Sequence, residues 1–362
     1  MASTPAAASA RSRLSSLDIL RFLAAAAVMV YHFTYKYASP GDPPLPVLQA
    51  VTRHGYLGVE VFFMISGFVV LWSAQGRTAT GFVRARILRL YPEFWIAVAV
   101  SAAIFTVVPG DFGGSPSITD VLANFTMVPQ LVGAPYVDGV YWTLFVELKF
   151  YFLLWLLILF GQIPRIERWL LGCLAVTALG AFVELPSALR SLILFPYGAL
   201  FAAGGLFYLV FDSGWTVRRA GGLLVALPTT SVFAVRGMSG FIDAPHITTT
   251  AAIATVGVLV SAFVFFATLG RNDLGARLGR ITTVAGALTY PLYLLHNTGK
   301  AVFLRASITG PESLLVVGAL LFSLGISFVV MRIGTGPVHA QLRVLLDKII
   351  ASAPALRSRP SP

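Results

Sequence analysis

Apolar stretches of about 20 residues, the length that crosses a bilayer, recur along this chain. They run near 17–36, 55–74, 92–109, 142–161, 168–185, 188–211, 219–236, 248–270, 284–304 and 313–333. Pro and Gly cluster between them, as in YASPGDPPLP and VPGDFGGSPS. No soluble core can hide that much apolar surface. Of the 362 residues, 57% are hydrophobic and only 11% are charged, against about 25% charged in a soluble domain. The expected fold is all-α, a polytopic membrane helical bundle of about ten transmembrane helices. The first apolar stretch is too long and too polar-punctuated for a cleaved leader. The expected organisation is a disordered cytoplasmic tail over 1–16, a transmembrane domain over 17–333 and a cytoplasmic tail over 334–362.

Basic residues orient such a bundle. Arg77, Arg84, Arg86 and Arg89, then Arg165 and Arg168, Arg218 and Arg219, Arg271, Arg277 and Arg280, and finally Arg343 and Lys348 all fall on one side of the expected spans. The other side holds only Lys36, Arg53, Arg190, Arg236, Lys300 and Arg305. Both termini are therefore expected in the cytoplasm. The net charge of +11 is spread over short loops with no continuous stripe, which argues against nucleic acid as a partner and leaves membrane lipid as the natural surroundings. The single cysteine, Cys173, excludes an intramolecular disulfide and a cysteine-ligated metal site. It reads as a buried, inert thiol, and no metal is expected. Asn124-Phe-Thr fits a glycosylation sequon, a match expected by chance. The segment 110–141 either shapes an entry to the bundle or simply links two spans.

Ionisable residues within spans are costly in lipid and mark function. In LDILRFLAAAAVMVYHF, Arg21 and His32 are eleven residues apart. That is close to three turns, so both share a helix face about 16 Å apart along the axis. Asp18 stands three residues before Arg21, where the two can pair. Glu60 lies in GYLGVEVFFMISGF, and Glu147 lies in YWTLFVELKFYFLLWLL on one face with Thr143, Phe150 and Tyr151. Thr289, Tyr293, His296 and Lys300 form a polar stripe on the ninth span. The basic and acidic groups are expected to converge on a cavity in the outer half of the bundle, where a histidine beside a carboxylate suits general-base chemistry. Intramembrane His, Glu and Lys serve proton relays equally well, so a proton-coupled transporter or a lipid or polysaccharide flippase fits these residues too. In RTATGFVRARILRLYP, Arg86 and Arg89 are three apart, on one face if this loop is helical; guanidinium grips phosphate bidentately.

The stretches LDILRFLAAAAVMVYHF, GYLGVEVFFMISGF, RARILRLYPEFW, YWTLFVELKFYFL and YPLYLLH occur in the order found in the membrane-bound acyltransferase 3 family, which the chain resembles from residue 17 to 296. The resemblance implies a multi-pass enzyme of the plasma membrane. It would use cytoplasmic acyl-CoA, acetyl-CoA above all, to acylate hydroxyls of a sugar, a glycan or another acceptor on the far side. It implies function for Arg21 and His32, for Arg86 and Arg89 as the acyl-CoA phosphate site, and for Trp142 and Glu147. On this reading His32 deprotonates the acceptor hydroxyl or first accepts the acyl group, and Glu147 orients His32 or stabilises its imidazolium. Asp18, Glu60, Tyr151, Tyr293 and His296 are further cavity candidates. Glu60 stands where the family often has Asp, and no large extra domain of the SGNH-hydrolase type is expected. Neither the acceptor's identity nor the oligomeric state follows from the sequence.

Overall fold

The computed structural model describes residues 14–36, 46–108, 115–242, 248–269, 279–305 and 312–352. Most of the expected N-terminal tail, Arg271 and Arg277, and residues 353–362 lie outside them. Within the described residues the chain is an all-α bundle with no strand. The helices that build it are α1 (Ser15–Tyr31), α2 (Gly58–Ala74), α3 (Ala79–Val107), α4 (Trp142–Leu159), α5 (Ile166–Leu179), α6 (Gly198–Ser213), α7 (Val217–Gly237), α8 (Thr249–Thr268), α9 (Arg280–Arg305), α10 (Glu312–Ile333) and α11 (His339–Ser352). Seven helices among the described residues are long and apolar enough to cross a membrane, and Gly198–Ser213 is apolar but shorter. The chain is a multi-pass integral membrane protein.

The helices depart from the expected spans at two places. The third span was expected to start at residue 92, after a loop. Instead α3 is one continuous helix from Ala79, because the Thr78 hydroxyl caps it by accepting from the Gly81 amide at 3.1 Å. Pro92 sits inside this helix without ending it. Arg86 and Arg89 are therefore helical residues on one face. The expected span 188–211 is broken into a short helix, Ser187–Leu192, and α6.

α9 occupies the centre, packed against α1, α3 and α10. Its polar stripe is turned inward: Thr289, Tyr293, His296, Asn297, Thr298 and Lys300 are all buried. α2 packs on α1, α4 and α6. It meets α6 through facing glycines. A Cβ on Gly67 would stand 2.2 Å from the Phe201 carbonyl oxygen, and one on Gly204 would stand 2.0 Å from that of Met64. α5, α7 and α8 flank α6 and each other on the side away from α9. α11 lies against α3, tied by a two-pronged bridge from Arg84 to Asp347 at 2.7 and 2.9 Å.

Candidate functional site

α1 runs into a wider π-type turn at His32–Lys36. His32 is the first residue of that turn and keeps a helical backbone conformation. Its Nδ1 lies 2.9 Å from the Val28 carbonyl oxygen and 3.1 Å from His296 Nε2. His296 Nδ1 lies 2.7 Å from the Tyr293 carbonyl oxygen, and the Lys300 ammonium donates to the His32 carbonyl at 2.6 Å. α1 and α9 thus clasp at this level.

Two cavities approach each other inside the bundle. The larger, about 270 Å³, lies among α1, α2, α3, α4 and α9 and is lined by Arg21, Arg86, Arg89, Ser66, Glu147, Tyr151, Tyr290 and Tyr293. Three guanidiniums in one apolar bundle make it a strongly anion-attracting space. Glu147 partly offsets them; its Oε1 accepts from the Ser66 hydroxyl at 2.6 Å and the Tyr151 hydroxyl at 2.5 Å. Arg86 lies over the rings of Phe82 and Tyr151 at 5.7 and 5.5 Å. Arg89 lies 5.6 Å over Tyr290 and 3.7 Å from the buried Glu93 carboxylate. The smaller cavity, about 80 Å³, is lined by His32, Trp142, Tyr56, Asn297, Gly139 and Phe241, among others. Val59 and Tyr293 line both, so one residue pair partitions an arginine chamber from a histidine chamber.

The expected residues therefore divide. Arg21, Arg86, Arg89, Glu147, Tyr151 and Tyr293 line the arginine chamber. His32 and Trp142 line the histidine chamber, and His296 hydrogen-bonds His32. Asp18 pairs with Arg21 at 3.8 Å and abuts Gly286 of α9, where a Cβ would stand 2.7 Å from its carboxyl carbon. Glu60 is buried, 5% exposed, but lines neither chamber. Glu147 was expected beside His32. The hydrogen bonds to its carboxylate come from Ser66 and Tyr151, whereas His296 hydrogen-bonds the His32 ring. Equal depth in a membrane fixes one coordinate and leaves the lateral neighbours to packing.

Sequence reasoning passed over Asp138 and Asn297. Asp138 is fully buried; it accepts from the Val140 amide at 3.1 Å and from Asn297 Nδ2 at 3.0 Å. Its place in a Gly- and Pro-rich segment hid it, although Asn297 adjoins His296 on the inward face of α9. The described part of that segment, 115–141, contributes Gly139 and Val140 to the histidine chamber wall and so is more than a linker. The sequon asparagine, Asn124, is fully buried; its amide bonds the Pro135 carbonyl at 2.9 Å and the Val137 amide at 3.1 Å. It is a structural knot. Cys173 is half-buried, its thiol 3.7 Å from the Ile193 carbonyl. No cluster of three or more His, Cys, Asp or Glu that could hold a metal occurs among the described residues.

A bundle of apolar helices around buried arginine and histidine chambers defines a polytopic membrane protein whose polar chemistry is held inside. The chain belongs to the acyltransferase 3 family (Acyl_transf_3, acyltransferase domain), whose profile matches residues 14–332. Among its relatives, Acyltransferase MdmB of Streptomyces mycarofaciens is 29% identical over 165 residues, 43% of this chain and 42% of that protein. Nodulation protein 10 of Rhizobium leguminosarum bv. viciae is 32% identical over 195 residues, 47% of this chain and 50% of that protein. The chain thus spans half or less of the length of these curated relatives. No solved structure matches.

Proposed function

We propose that this chain is a membrane O-acyltransferase that moves an acyl group, acetyl in the first instance, from acyl-CoA on the cytoplasmic side of the plasma membrane to a hydroxyl of a sugar or glycan on the far side. The observation that carries the reading is the pair of chambers meeting at Val59 and Tyr293. An arginine-lined chamber suits the phosphates of the donor, and a histidine-lined chamber suits the hydroxyl to be activated. The basic helix ends supply the orientation, with both termini in the cytoplasm. The family membership and the relative named as an acyltransferase support the same reaction.

The chemistry follows from what the side chains can hold. Arg86 and Arg89 grip donor phosphates, and Arg21 extends the positive wall inward toward the partition. The acyl thioester reaches past Tyr293. His32 takes the proton of the acceptor hydroxyl as its oxygen attacks the thioester carbon. The carbon–sulfur bond breaks, the thiolate leaves with its electron pair, and His32 returns the proton to the sulfur. The products are an ester and free CoA thiol, and the histidine is restored. A positioned base of this kind contributes about 10²–10⁴-fold in rate.

The test uses the full chain in lipid nanodiscs with acetyl-CoA and a panel of simple glycosides. Thiol release equimolar with O-acetyl formation is expected. His32→Ala should abolish it while leaving the thermal midpoint unchanged. Near wild-type transfer by that variant removes His32 from the chemistry, and absence of thiol release with every hydroxyl acceptor favours a transporter.

A further inference from the structure

The hydrogen bonds around the histidine chamber fix which atoms are donors. A carbonyl oxygen can only accept, so the 2.7 Å contact of His296 Nδ1 with the Tyr293 carbonyl places a proton on that nitrogen. The 2.9 Å contact of His32 Nδ1 with the Val28 carbonyl places a proton there as well. The two rings meet at 3.1 Å through His32 Nδ1 and His296 Nε2. With His32 Nδ1 as donor, His296 Nε2 must be the acceptor, which makes His296 a neutral ring. The neutral His32 ring then has its lone pair on Nε2.

The neighbouring residue shows the same logic. Asp138 Oδ1 accepts from the Val140 amide at 3.1 Å and from the Asn297 NH₂ group at 3.0 Å. That orients the amide and leaves Asn297 Oδ1 buried without a hydrogen-bond partner, in a residue 2% exposed that lines the same cavity as His32. A buried amide oxygen without a donor is costly and calls for an explanation.

We propose that the consecutive residues His296 and Asn297 prepare the acceptor subsite: His296, together with the Val28 carbonyl, holds His32 in the tautomer that is basic at Nε2 and strengthens that base, and Asn297 offers its amide oxygen to a second hydroxyl of a polyol acceptor. This rests on the acyltransferase reading above. Two lone-pair acceptors, each fixed by a buried partner, select a ligand that brings two O–H donors, as a vicinal diol of a sugar does. His296 is a positioning residue. When His32 takes the hydroxyl proton on Nε2, its Nδ1–H bond to the neutral His296 ring becomes charge-assisted and stronger. A neutral imidazole thus stands where hydrolytic triads place a carboxylate.

The tautomer is read without substrate, by NMR of the full chain labelled with ¹⁵N-histidine in nanodiscs, His32 being assigned by its loss in His32→Gln. Wild type should show His32 protonated at Nδ1 and bare at Nε2. His296→Leu should leave the Nδ1 proton held by the Val28 carbonyl alone and lower kcat by about tenfold or more, with acceptor KM unchanged. His296→Gln, whose amide oxygen can reach the place of Nε2, should restore most of the lost kcat. Saturation-transfer NMR should show 1,2-propanediol binding about tenfold more tightly than 1-propanol, a difference of one extra hydrogen bond, and Asn297→Leu should erase the preference. A wild-type His32 protonated at Nε2, a His296→Leu variant unchanged in kcat, or equal binding of the two alcohols by wild type overturns the proposal. Lack of thiol release by wild type would instead overturn the acyltransferase reading and leave the tautomer and diol results standing.

Discussion

Arg86 and Arg89 stand three residues apart on α3, yet they have different duties. Arg86 has a buried Nε without a hydrogen-bond partner beside the arginine chamber. Arg89 lines that chamber and is also the cation nearest the buried Glu93, at 3.7 Å. Arg86→Ala should therefore weaken acyl-CoA binding by about tenfold to a hundredfold, one charge-assisted contact of ~1.5–3 kcal/mol, with an unchanged thermal midpoint. Arg89→Ala should weaken binding and also lower the midpoint, because the Glu93 carboxyl loses its cation, and adding Glu93→Gln should restore stability but not affinity. Acyl-CoA titration and thermal melts of the purified variants separate these outcomes; an unchanged dissociation constant for Arg86→Ala would reduce these arginines to topology signals. Glu147 is an anion within the same chamber. Glu147→Gln should thus tighten acyl-CoA binding, by about threefold to tenfold or ~0.7–1.4 kcal/mol, since the amide can still accept from Ser66 or Tyr151. Unchanged affinity with a fall in kcat would instead place Glu147 in the chemistry. The residue types were legible before any fold was known, since charges in apolar spans stand out. Their pairing was not, because a side chain's partner depends on helices far away in sequence.

At the scale of elements, the positions that matter most include residues with no side chain at all. The α2–α6 crossing brings backbone to backbone at Gly67 and Gly204, and α2 presents Val59 and Ser66 to the arginine chamber. Gly204→Ala should force the pair apart, lowering stability by ~1–3 kcal/mol as overpacking does and reducing activity through the displaced α2 wall. Gly257→Ala on α8, where nothing lies within 4 Å, should change neither. Thermal melts of the two variants in one detergent make the comparison, and equal midpoints would show that the crossing is slack. Hydropathy located α1, α2, α4 and α8 to within a few residues. It misplaced the start of α3, where a threonine cap outweighed a proline, because capping is a local hydrogen bond that apolar averages do not register. The central α9 carries polar residues within its span for a physical reason: its polar stripe is buried against protein.

For the whole molecule, the orientation decides which chamber meets the cytoplasm. In a Cys173→Ala background, a membrane-impermeant maleimide should label Gln130→Cys in intact cells and Gln75→Cys only after permeabilisation; both positions are exposed. The reverse pattern would put the arginine chamber on the wrong side for a cytoplasmic donor. The sequence by itself determined the all-α membrane class, most of the span positions, the basic end of the bundle and the short roster of buried ionisable residues. Each of these is a property of one helix and its depth, set by run length, period and charge. Only the tertiary structure decided that His32 meets His296, that Glu147 belongs with the arginines, that Asp138 reaches in from a loop to set the Asn297 amide, and that Val59 and Tyr293 stand between two chambers. Those are lateral relations between helices. They are fixed by close packing, by glycine crossings and by the rule that a buried polar group must find its partner wherever the fold provides one.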